Sequence, residues 1–558
     1  MLKTSTFCRY FHTLRHLKPV QFYGRLGHRL HKIRLDTRPA PLGRPLASNG
    51  QWHLPAQIKA SILNLETFHF LNETHTLSSA SDWNNPKWEK LWLYNLHYFD
   101  DLNAEDAELR LPWHAELIER WIKENPAPRG NGWEPYPLSL RIVNWVKFFL
   151  RISANQPPKK HWLDSLALQA RVLMQKLEHH LLGNHLFANA KALVFVGLYF
   201  QGAEAEKWLQ TGLAILQREV PEQVLDDGGN FELSPMYHSI MLMDMLDLIN
   251  ISQCYSATTV QPFINGWQQY AENMVTWLQA MCHPDGDIAF FNDAVVGIAA
   301  SLKTMSSYAR SLGIATKSYS IQSSAKPQLL KLKHLKASGY VRLENKRAVA
   351  FLDLAKVGPD YIPGHAHADT LSFELSLFGH RVFVNSGTSC YGLGDERMRQ
   401  RGTAAHNTVV IDDQNSSEVW SGFRVARRAY PGQPFFSLEP ESHRVSCSHN
   451  GYRWLKGKPL HSREWALTAR TFSIKDRITG KFQKAEARFH LHPDIRCAER
   501  EECLVLTLPG GHEVLVNNQS SKRRIEQTSW HPEFGLSIPN LCLIFEFVNS
   551  ECVVKLDY

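Results

Sequence analysis

The sequence has few cysteines and no CxxC pair. Its nine cysteines are scattered from Cys8 to Cys552, so the pattern indicates neither a zinc ribbon nor a dense disulfide framework. They are most simply explained as reduced thiols.

Long apolar runs are also missing. No stretch approaches the ~20 apolar residues of a membrane-spanning helix. The N-terminus lacks the apolar region of a secretory signal, because basic and histidine residues interrupt every run between Phe7 and Lys18. We therefore expect a soluble chain without a transmembrane segment. Its export is unproven from these residues, and a cytoplasmic location is compatible with them.

Several catalytic motifs are absent as well. Without HExxH, GxSxG or an EF-hand loop, a metal-dependent hydrolase is disfavoured, and without a P-loop an NTPase is disfavoured too.

Lys plus Arg exceed Asp plus Glu by 62 to 54. This basic balance suits an anionic partner, which could be nucleic acid, a membrane surface or an acidic polysaccharide. Nucleic-acid binding rests on net charge alone and is not expected.

The chain of 558 residues exceeds what one hydrophobic core usually supports, so we expect several domains. Residues 1–45 form a basic N-terminal segment. A surface helix that contacts anionic lipid or glycan would explain it, but the solvated face of an ordinary helix is the preferred interpretation.

Residues 46–325 carry apolar residues at helical spacing in successive segments, which predicts an α/α toroid that forms an incomplete barrel. The predicted helices are 138–150, 161–181, 189–201, 203–217, 235–251 and 260–281.

From about residue 326 to 558 the apolar period changes to two, which predicts an antiparallel β-sandwich domain. The predicted fold class is therefore α+β multidomain, with a linker around residues 318–333. The predicted strands are 339–343, 348–354, 370–377, 380–384, 467–472, 487–491, 503–508, 513–516 and 541–547.

A polar cluster lies within strand-like sequence. His365 and His367 stand where the strand from Thr370 is predicted to begin, and side chains two residues apart share one face of a strand. Asn385 and His406 follow in nearby segments. Polar residues satisfied at a sheet edge would explain any single histidine, but the convergence of several polar groups favours a functional site.

Two further clusters lie in the helical half. Asn184 and His185 are predicted to lie in a turn between helices, where binding groups are often presented. Asn184 or Asn189 could instead be a simple helix N-cap. In the second cluster, Ser234 as N-cap places Tyr237 in the first turn of a helix, whose positive end would favour the phenolate. An interfacial core tyrosine is the alternative.

A Gly/Pro-rich segment leads into the first predicted helix and offers Trp133, Glu134, Tyr136 and Arg141. Such a segment could hold a sugar, although Arg141 could merely pair with Glu134. Three arginines before His406, of which Arg401 is the nearest, could contact an acidic glycan or simply fix the loop.

Together these residues resemble the heparinase II/III-like polysaccharide lyases, a family with an α/α toroid followed by an antiparallel β-sandwich. The resemblance spans most of the chain. It is strongest at the segments GNHLFANAKAL, FELSPMYH, HAHADTLSFEL, VNSGT and RGTAAHNTVV. It implies β-elimination on an acidic polysaccharide that contains uronic acid, and a location in the periplasm or cell envelope.

The resemblance implies a role for each matching residue. Asn184, with His185, would hydrogen-bond the uronate carboxylate. Tyr237 would act as the acid toward O4 and, on one side of the sugar, as the base toward C5. His365 is the candidate second base, because its ordinary pKa is near neutrality.

The resemblance also implies a structural Zn²⁺ held by His367, His406 and a third ligand. The third ligand is commonly an Asp, but this chain has Asn385 at that position. A neutral amide oxygen binds Zn²⁺ more weakly than a carboxylate. The residues are therefore compatible with a zinc site and with a metal-free hydrogen-bonded cluster.

Two rival functions remain open at this point. A uronate C5-epimerase would use the same base and carboxylate clamp. A non-catalytic glycan-binding or polysaccharide-assembly protein would need neither Tyr237 nor His365, so their joint presence argues against it. The identity of the uronate polymer, endo or exo action and the oligomeric state are not readable from these residues.

Overall fold

A computed structural model describes residues 2–152, 157–316, 330–518 and 521–558. The predicted linker around residues 318–333 falls mostly outside them. The division of the chain at residues 45 and 325 stays a prediction.

Helices dominate the N-terminal half. Within the described residues they are α1 (Leu2–Leu14), α2 (Pro19–Leu30), α3 (Lys90–Tyr98), α4 (Leu111–Glu124), α5 (Pro135–Ile152), α6 (Lys160–Met174), α7 (Gly183–Tyr199), α8 (Ala203–Gln223), α9 (Pro235–Cys254), α10 (Gln261–Ala280) and α11 (Leu302–Ser311). Neighbours along the chain pack together, with α5 against α6 and α7, α7 against α8 and α9, and α9 against α10. This open arrangement, which does not close into a barrel, confirms the predicted incomplete toroid.

The starts of two helices position the site. Helix α9 begins as predicted, with Pro235 in its first turn and the Ser234 hydroxyl accepting the Tyr237 N–H at 3.2 Å. Helix α7 begins six residues before the predicted start. Leu182 and Gly183 have positive φ angles of 65° and 54°, which reverse the chain direction there.

The prediction that Asn184 and His185 lie in a turn between helices is therefore wrong. Both belong to the first turn of α7. Asn189 lies inside the same helix and is not its N-cap.

The C-terminal half is built from antiparallel strands. Its strands, after the small hairpin β1 (Thr67–Phe70) and β2 (Glu73–Thr76) in the helical half, are β3 (Lys331–Leu335), β4 (Tyr340–Glu344), β5 (Ala348–Asp353), β6 (Phe373–Leu377), β7 (His380–Phe383), β8 (Val409–Ile411), β9 (Val419–Trp420), β10 (Arg424–Val425), β11 (Phe435–Glu439), β12 (Ser442–His449), β13 (Leu460–Leu467), β14 (Thr471–Thr479), β15 (Ala485–His490), β16 (Arg496–Glu499), β17 (Cys503–Thr507), β18 (Glu513–Asn518), β19 (Ser521–Trp530), β20 (Ile538–Phe547) and β21 (Glu551–Asp557). One short helix, α12 (Asp395–Arg401), interrupts them.

Three large sheets form the β-sandwich half, and every strand pair in them is antiparallel, as predicted. The strand orders are β3-β4-β5-β6-β7, β19-β20-β15-β8 and β11-β12-β13-β14-β21-β18-β17-β16. One predicted strand, 467–472, is wrong, because it spans the turn that joins β13 to β14.

The predicted β6–β7 pair is confirmed, but β6 starts at Phe373 rather than at Thr370. Leu371 has a positive φ of 63°, which extended strand backbone does not allow. The histidines at 365 and 367 therefore lie on a loop before the strand, and strand alternation does not govern where they point.

Apolar contacts join the helical half to the first sheet. Leu233 and Trp277 share a buried cluster with Tyr340 and Phe351, and the Tyr340 hydroxyl donates to the Leu233 carbonyl at 2.6 Å. This contact holds the segment before α9 against β4 of the first sheet. None of the nine cysteines, all of which lie in the described part of the chain, forms a disulfide. None of the described helices is both long enough and apolar enough to cross a membrane.

Candidate active site

The site lies where the first turns of α7 and α9 meet the loop before β6. The rings of Tyr237 and His365 stack with their centroids 3.8 Å apart, and the Tyr237 hydroxyl is 2.9 Å from the hydroxyl of Tyr391. Asn184 lines the same cleft as Tyr237. The structure therefore brings together three of the predicted catalytic residues, and it adds Tyr391, which the sequence analysis missed.

Tyr237 is nearly buried, and burial, reinforced by the neighbouring Tyr391, raises the pKa of its phenol well above the ordinary value. The expectation that the helix terminus favours the phenolate is therefore wrong, because desolvation outweighs the helix dipole here. A phenol that stays protonated at neutral pH is suited to donate a proton to a leaving oxygen.

His365 is oriented by Asp293, a residue that the sequence analysis did not single out. Its Nδ1 lies 3.0 Å from Asp293 Oδ2. Because an ionised carboxylate only accepts hydrogen bonds, the proton of a neutral imidazole is held at Nδ1 and the lone pair is left at Nε2. Part of the His365 side chain remains exposed, so Nε2 is a candidate base.

Asp293 is completely buried and is the centre of a charged network. Arg397, also buried, donates to both carboxyl oxygens, and His367 Nε2 lies 2.8 Å from Oδ1. Burial alone would raise the pKa of Asp293, but the Arg397 charge and the hydrogen bonds from His365 and His367 hold it well below the ordinary range. The carboxylate is therefore ionised when it orients His365.

Glu232 is the second acidic residue that the sequence analysis missed, although it lies in the FELSPMYH segment. Its side chain is buried, with Oε2 3.7 Å from His365 Nε2. The backbone N–H of Asn184 also faces it, yet neither carboxyl oxygen has a partner at hydrogen-bond geometry among the described residues. Burial raises the pKa of Glu232. A buried carboxyl without a close hydrogen-bond partner is costly, so Glu232 is a candidate for a role in the chemistry at His365.

Asn184 and Tyr136 line the cleft, and His185 packs beside them. The His185 ring packs on Tyr136 at 4.6 Å and its Nδ1 contacts Glu178 Oε1 at 3.1 Å. Burial would lower the pKa of His185, but the adjacent Glu178 outweighs it and raises the pKa. Protonation of His185 is therefore easier than that of a free imidazole, and a third of its side chain is exposed.

Three predicted substrate-binding residues are core residues in the structure. Trp133 is buried, with Nε1 donating to the Asn125 carbonyl at 3.1 Å. Arg141 is fully buried and stacks on Trp121 at 3.8 Å. Arg401 is fully buried too, and it donates to backbone carbonyls that include that of Ala366. None of these three side chains is available to a ligand, and Arg401 instead fixes the histidine loop.

The remaining predicted substrate-binding residues stay near the surface. Glu134 does not pair with Arg141 and instead accepts from Lys90 at 3.0 Å and from the Tyr94 hydroxyl. Tyr136 lines the cleft and is retained as a candidate contact for the sugar.

The three predicted metal ligands lie together but do not converge on one point. His406 Nε2 faces His367 Nδ1 at 3.2 Å, whereas Asn385 Oδ1 lies 3.3 Å from the opposite ring nitrogen of His406. The Asn385 amide also donates to the Phe290 carbonyl at 2.7 Å and accepts from the backbone N–H of Asn407. A structural Zn²⁺ site needs four converging ligands. These residues, as arranged, offer two nitrogens and do not fit it.

We expect zinc to leave the stability of this protein unchanged. The melting temperature should be the same within error after chelator treatment and after addition of Zn²⁺, because the Asn385 amide already bonds the groups around it. Asn385→Asp should destabilise the fold by about 1–3 kcal/mol, since the Phe290 carbonyl would then face an acceptor without a proton. Stoichiometric zinc in the purified protein, with a lower melting temperature after its removal, would contradict this expectation.

Comparison with known proteins identifies the family. The family model for the heparinase II/III N-terminus matches residues 92–317, and the model for the heparinase II/III-like C-terminal domain matches residues 327–553. The chain belongs to the heparinase II/III family. This confirms the resemblance noted from the sequence motifs.

Curated relatives of this family member are heparin-sulfate lyases. The protein from Bacteroides stercoris is 25% identical over 358 residues, which cover 57% of this chain and 52% of the relative. That from Pedobacter heparinus is 26% identical over 318 residues, covering 53% and 47%. The chain thus spans about half the length of the curated relatives it matches.

Solved structures share the fold. A crystal structure of heparinase III matches with a TM-score of 0.64 at 19% identity, covering 83% of this chain and 76% of the other. Heparan sulfate lyase HepC from Pedobacter heparinus matches with a TM-score of 0.54 at 18% identity, covering 88% and 81%. At this identity the likeness supports the helical and β-sheet architecture described above.

Proposed function

We propose that this heparinase II/III family member is a polysaccharide lyase that cleaves a uronic-acid-containing glycosaminoglycan by β-elimination. The stacked pair of Tyr237 and His365 carries the proposal, because it places a protonated phenol and a free imidazole nitrogen side by side. The names of the curated relatives favour a glycosaminoglycan as the substrate class.

The proposed reaction begins at the uronate carboxylate. Asn184 and His185 hold it, and the imidazolium of His185 offsets the charge that develops when the C5 proton leaves. Nε2 of His365 takes that proton. The electrons of the C5–H bond form the C4=C5 double bond, and the C4–O4 bond breaks with its electron pair going to O4.

The departing O4 takes the phenolic proton of Tyr237. After each turnover His365 therefore carries an extra proton and Tyr237 lacks one, and return of the proton between the stacked rings or through solvent restores the site. Asp293 and Glu232 flank the imidazolium while it carries the extra proton.

The same geometry weighs against a C5-epimerase. An epimerase must remove a proton from one face of C5 and return it to the opposite face. The Tyr237 and His365 rings are stacked 3.8 Å apart, so the two groups lie side by side rather than across a bound sugar from one another. Elimination, in which one group takes the C5 proton and its neighbour protonates O4, fits this arrangement better.

The function is tested by ultraviolet absorbance on a panel of uronic-acid polysaccharides. Elimination leaves a C4=C5 double bond conjugated to the carboxylate, so we expect absorbance to rise with heparan-type substrates and to stay flat with the His365→Ala variant. Proton exchange at C5 in deuterated water without an absorbance rise would indicate the epimerase instead. Binding without either signal would indicate a glycan-binding protein.

Replacement of Glu232 tests its role beside His365. Glu232→Gln keeps the shape but removes the ionisable oxygen that faces Nε2, and we expect kcat to fall on the order of 10²-fold with KM nearly unchanged. Glu219→Gln is the matched control, because Glu219 is also a buried glutamate whose pKa is raised by burial. Equal losses in the two variants, or a loss confined to KM, would contradict a role in proton transfer.

A further inference from the structure

The net charge of this protein is concentrated at its N-terminus. The first 35 residues contain eight Lys or Arg and no Asp or Glu, so they account for the whole formal net charge of +8. The remaining chain is balanced. Positive charge concentrated on one short segment favours an anionic binding partner for that segment.

The same segment exposes large apolar side chains on one face of each helix. On α1 they recur at helical spacing, and on α2 they do the same. The exposed side chains are Phe7, Tyr10, Phe11 and Leu14 on α1 and Phe22, Tyr23, Leu26 and Leu30 on α2. An ordinary surface helix packs such apolar side chains against the core. In α1 and α2 these side chains are exposed to solvent instead.

Polar contacts attach both helices to the body of the protein. On α1, Arg9 Nε donates to Glu418 at 2.9 Å. On α2, Gln21 Nε2 donates to the Tyr361 carbonyl at 3.1 Å, and Gly24 lies so close to His180 that an added Cβ would be 3.0 Å from it. The protein-facing sides also carry the Tyr10 ring, 5.0 Å from Trp420, and Val20. The other large apolar side chains of α1 and α2 face outward beside exposed basic residues such as Arg25 and Arg29. The basic side chains of Arg25 and Arg29 are solvated, as the preferred interpretation expects, but the exposed large apolar side chains beside them are not a feature of an ordinary surface helix.

We propose that α1 and α2 dock the protein on the surface of an anionic lipid bilayer. Helices with exposed Phe and Leu side chains flanked by Arg and Lys insert the apolar side chains at the level of the headgroups. Anionic lipid attracts the basic residues. A lipid surface therefore accounts for both the exposed apolar side chains and the positive charge of the segment.

Neither an acidic polysaccharide nor a second copy of this chain would match both the positive charge and the exposed apolar side chains of the segment. An acidic polysaccharide would pair with the arginines, but it would leave Leu14, Leu26 and Leu30 in water. A second copy of the chain would cover the leucines, but it would bring two strongly basic segments together. The lipid surface satisfies the charge and the apolar area, and it does not depend on the proposed lyase activity.

Vesicle sedimentation with the full-length protein tests the proposal. We expect binding to vesicles of phosphatidylcholine mixed with phosphatidylglycerol, weaker binding to pure phosphatidylcholine, and release as salt is raised. Leu26→Ser with Leu30→Ser, and separately Arg25→Ser with Arg29→Ser, should each lower the partition coefficient by about 10-fold or more.

Matched controls replace equally exposed residues elsewhere. Leu109→Ser with Leu438→Ser, and Arg470→Ser with Arg496→Ser, should leave vesicle binding within about twofold of the wild type, because these residues lie outside the basic segment. Thermal unfolding confirms that each variant is folded.

Three outcomes would overturn the proposal. They are no binding of the folded wild type to the anionic vesicles, equal effects of helix and control variants, and helix variants that lose only heparin binding or only self-association. Turnover of a soluble polysaccharide is measured in parallel and should not change in the helix variants, so failure of lipid docking is distinguishable from failure of the lyase function.

Discussion

Tyr237→Phe should lower the turnover of uronate polysaccharide by roughly 10³-fold, because it removes the proton that O4 takes as it leaves. The aromatic ring that stacks on His365 is retained, so KM should stay close to the wild-type value. The variant also loses one buried hydrogen bond, to Tyr391, which should cost about 1 kcal/mol of folding free energy. Initial rates from ultraviolet absorbance and urea denaturation measure the two effects separately.

Tyr391→Phe is the matched control for this variant. It removes the other hydroxyl of the same 2.9 Å contact, so it should cause a similar loss of stability. It leaves the phenol of Tyr237 in place, and the rate should stay within about 10-fold of the wild type. A larger loss of rate in Tyr391→Phe than in Tyr237→Phe would mean that the proton donor has been misassigned.

Asp293→Asn should destabilise the protein by about 3–5 kcal/mol, because it leaves the buried Arg397 guanidinium without a counter-ion. It should also lower kcat, since an amide stabilises the protonated form of His365 less than a carboxylate does. Urea denaturation at neutral pH measures the first effect and steady-state kinetics the second. Asp413→Asn, at an exposed aspartate, should change neither.

A double variant separates the two roles of Asp293. Asp293→Asn combined with Arg397→Met removes both buried charges, so it should recover part of the lost stability without restoring kcat. Recovery of the full rate in the double variant would show that Asp293 acts only through stability. A loss below about 1 kcal/mol in Asp293→Asn alone would show that the pair contributes little to the fold.

Local patterns were sufficient for much of the architecture. The helical period up to residue 325 and the alternation after residue 326 predicted the two halves in the right order, because each depends only on which side chains face a core. Ser234 followed by Pro235 predicted the start of α9 and hence the place of Tyr237, since capping is a contact between residues three apart. The start of α7 was missed because positive φ at Leu182 has no signature in residue type.

The site was only partly predictable, because local patterns do not report contacts between distant parts of the chain. Asn184, Tyr237 and His365 were found because they lie in motifs that resemble a family. Asp293 and Tyr391 were missed, because each acts through a residue far along the chain. Asp293 contacts His365, and Tyr391 contacts Tyr237. A carboxylate after an apolar run, as in the segment Phe290–Asp293, was the signal available for Asp293.

The sequence by itself determined the fold class, the family and the residue types that can move a proton and hold a carboxylate. Only the tertiary structure decided which polar residues are available to a ligand. It buried Trp133 and Arg141 in the toroid core, exposed large apolar side chains on α1 and α2, and placed the buried Glu232 carboxyl beside His365. Exposure, charge pairing and desolvation depend on contacts between distant parts of the chain, and those contacts set the chemistry of a side chain.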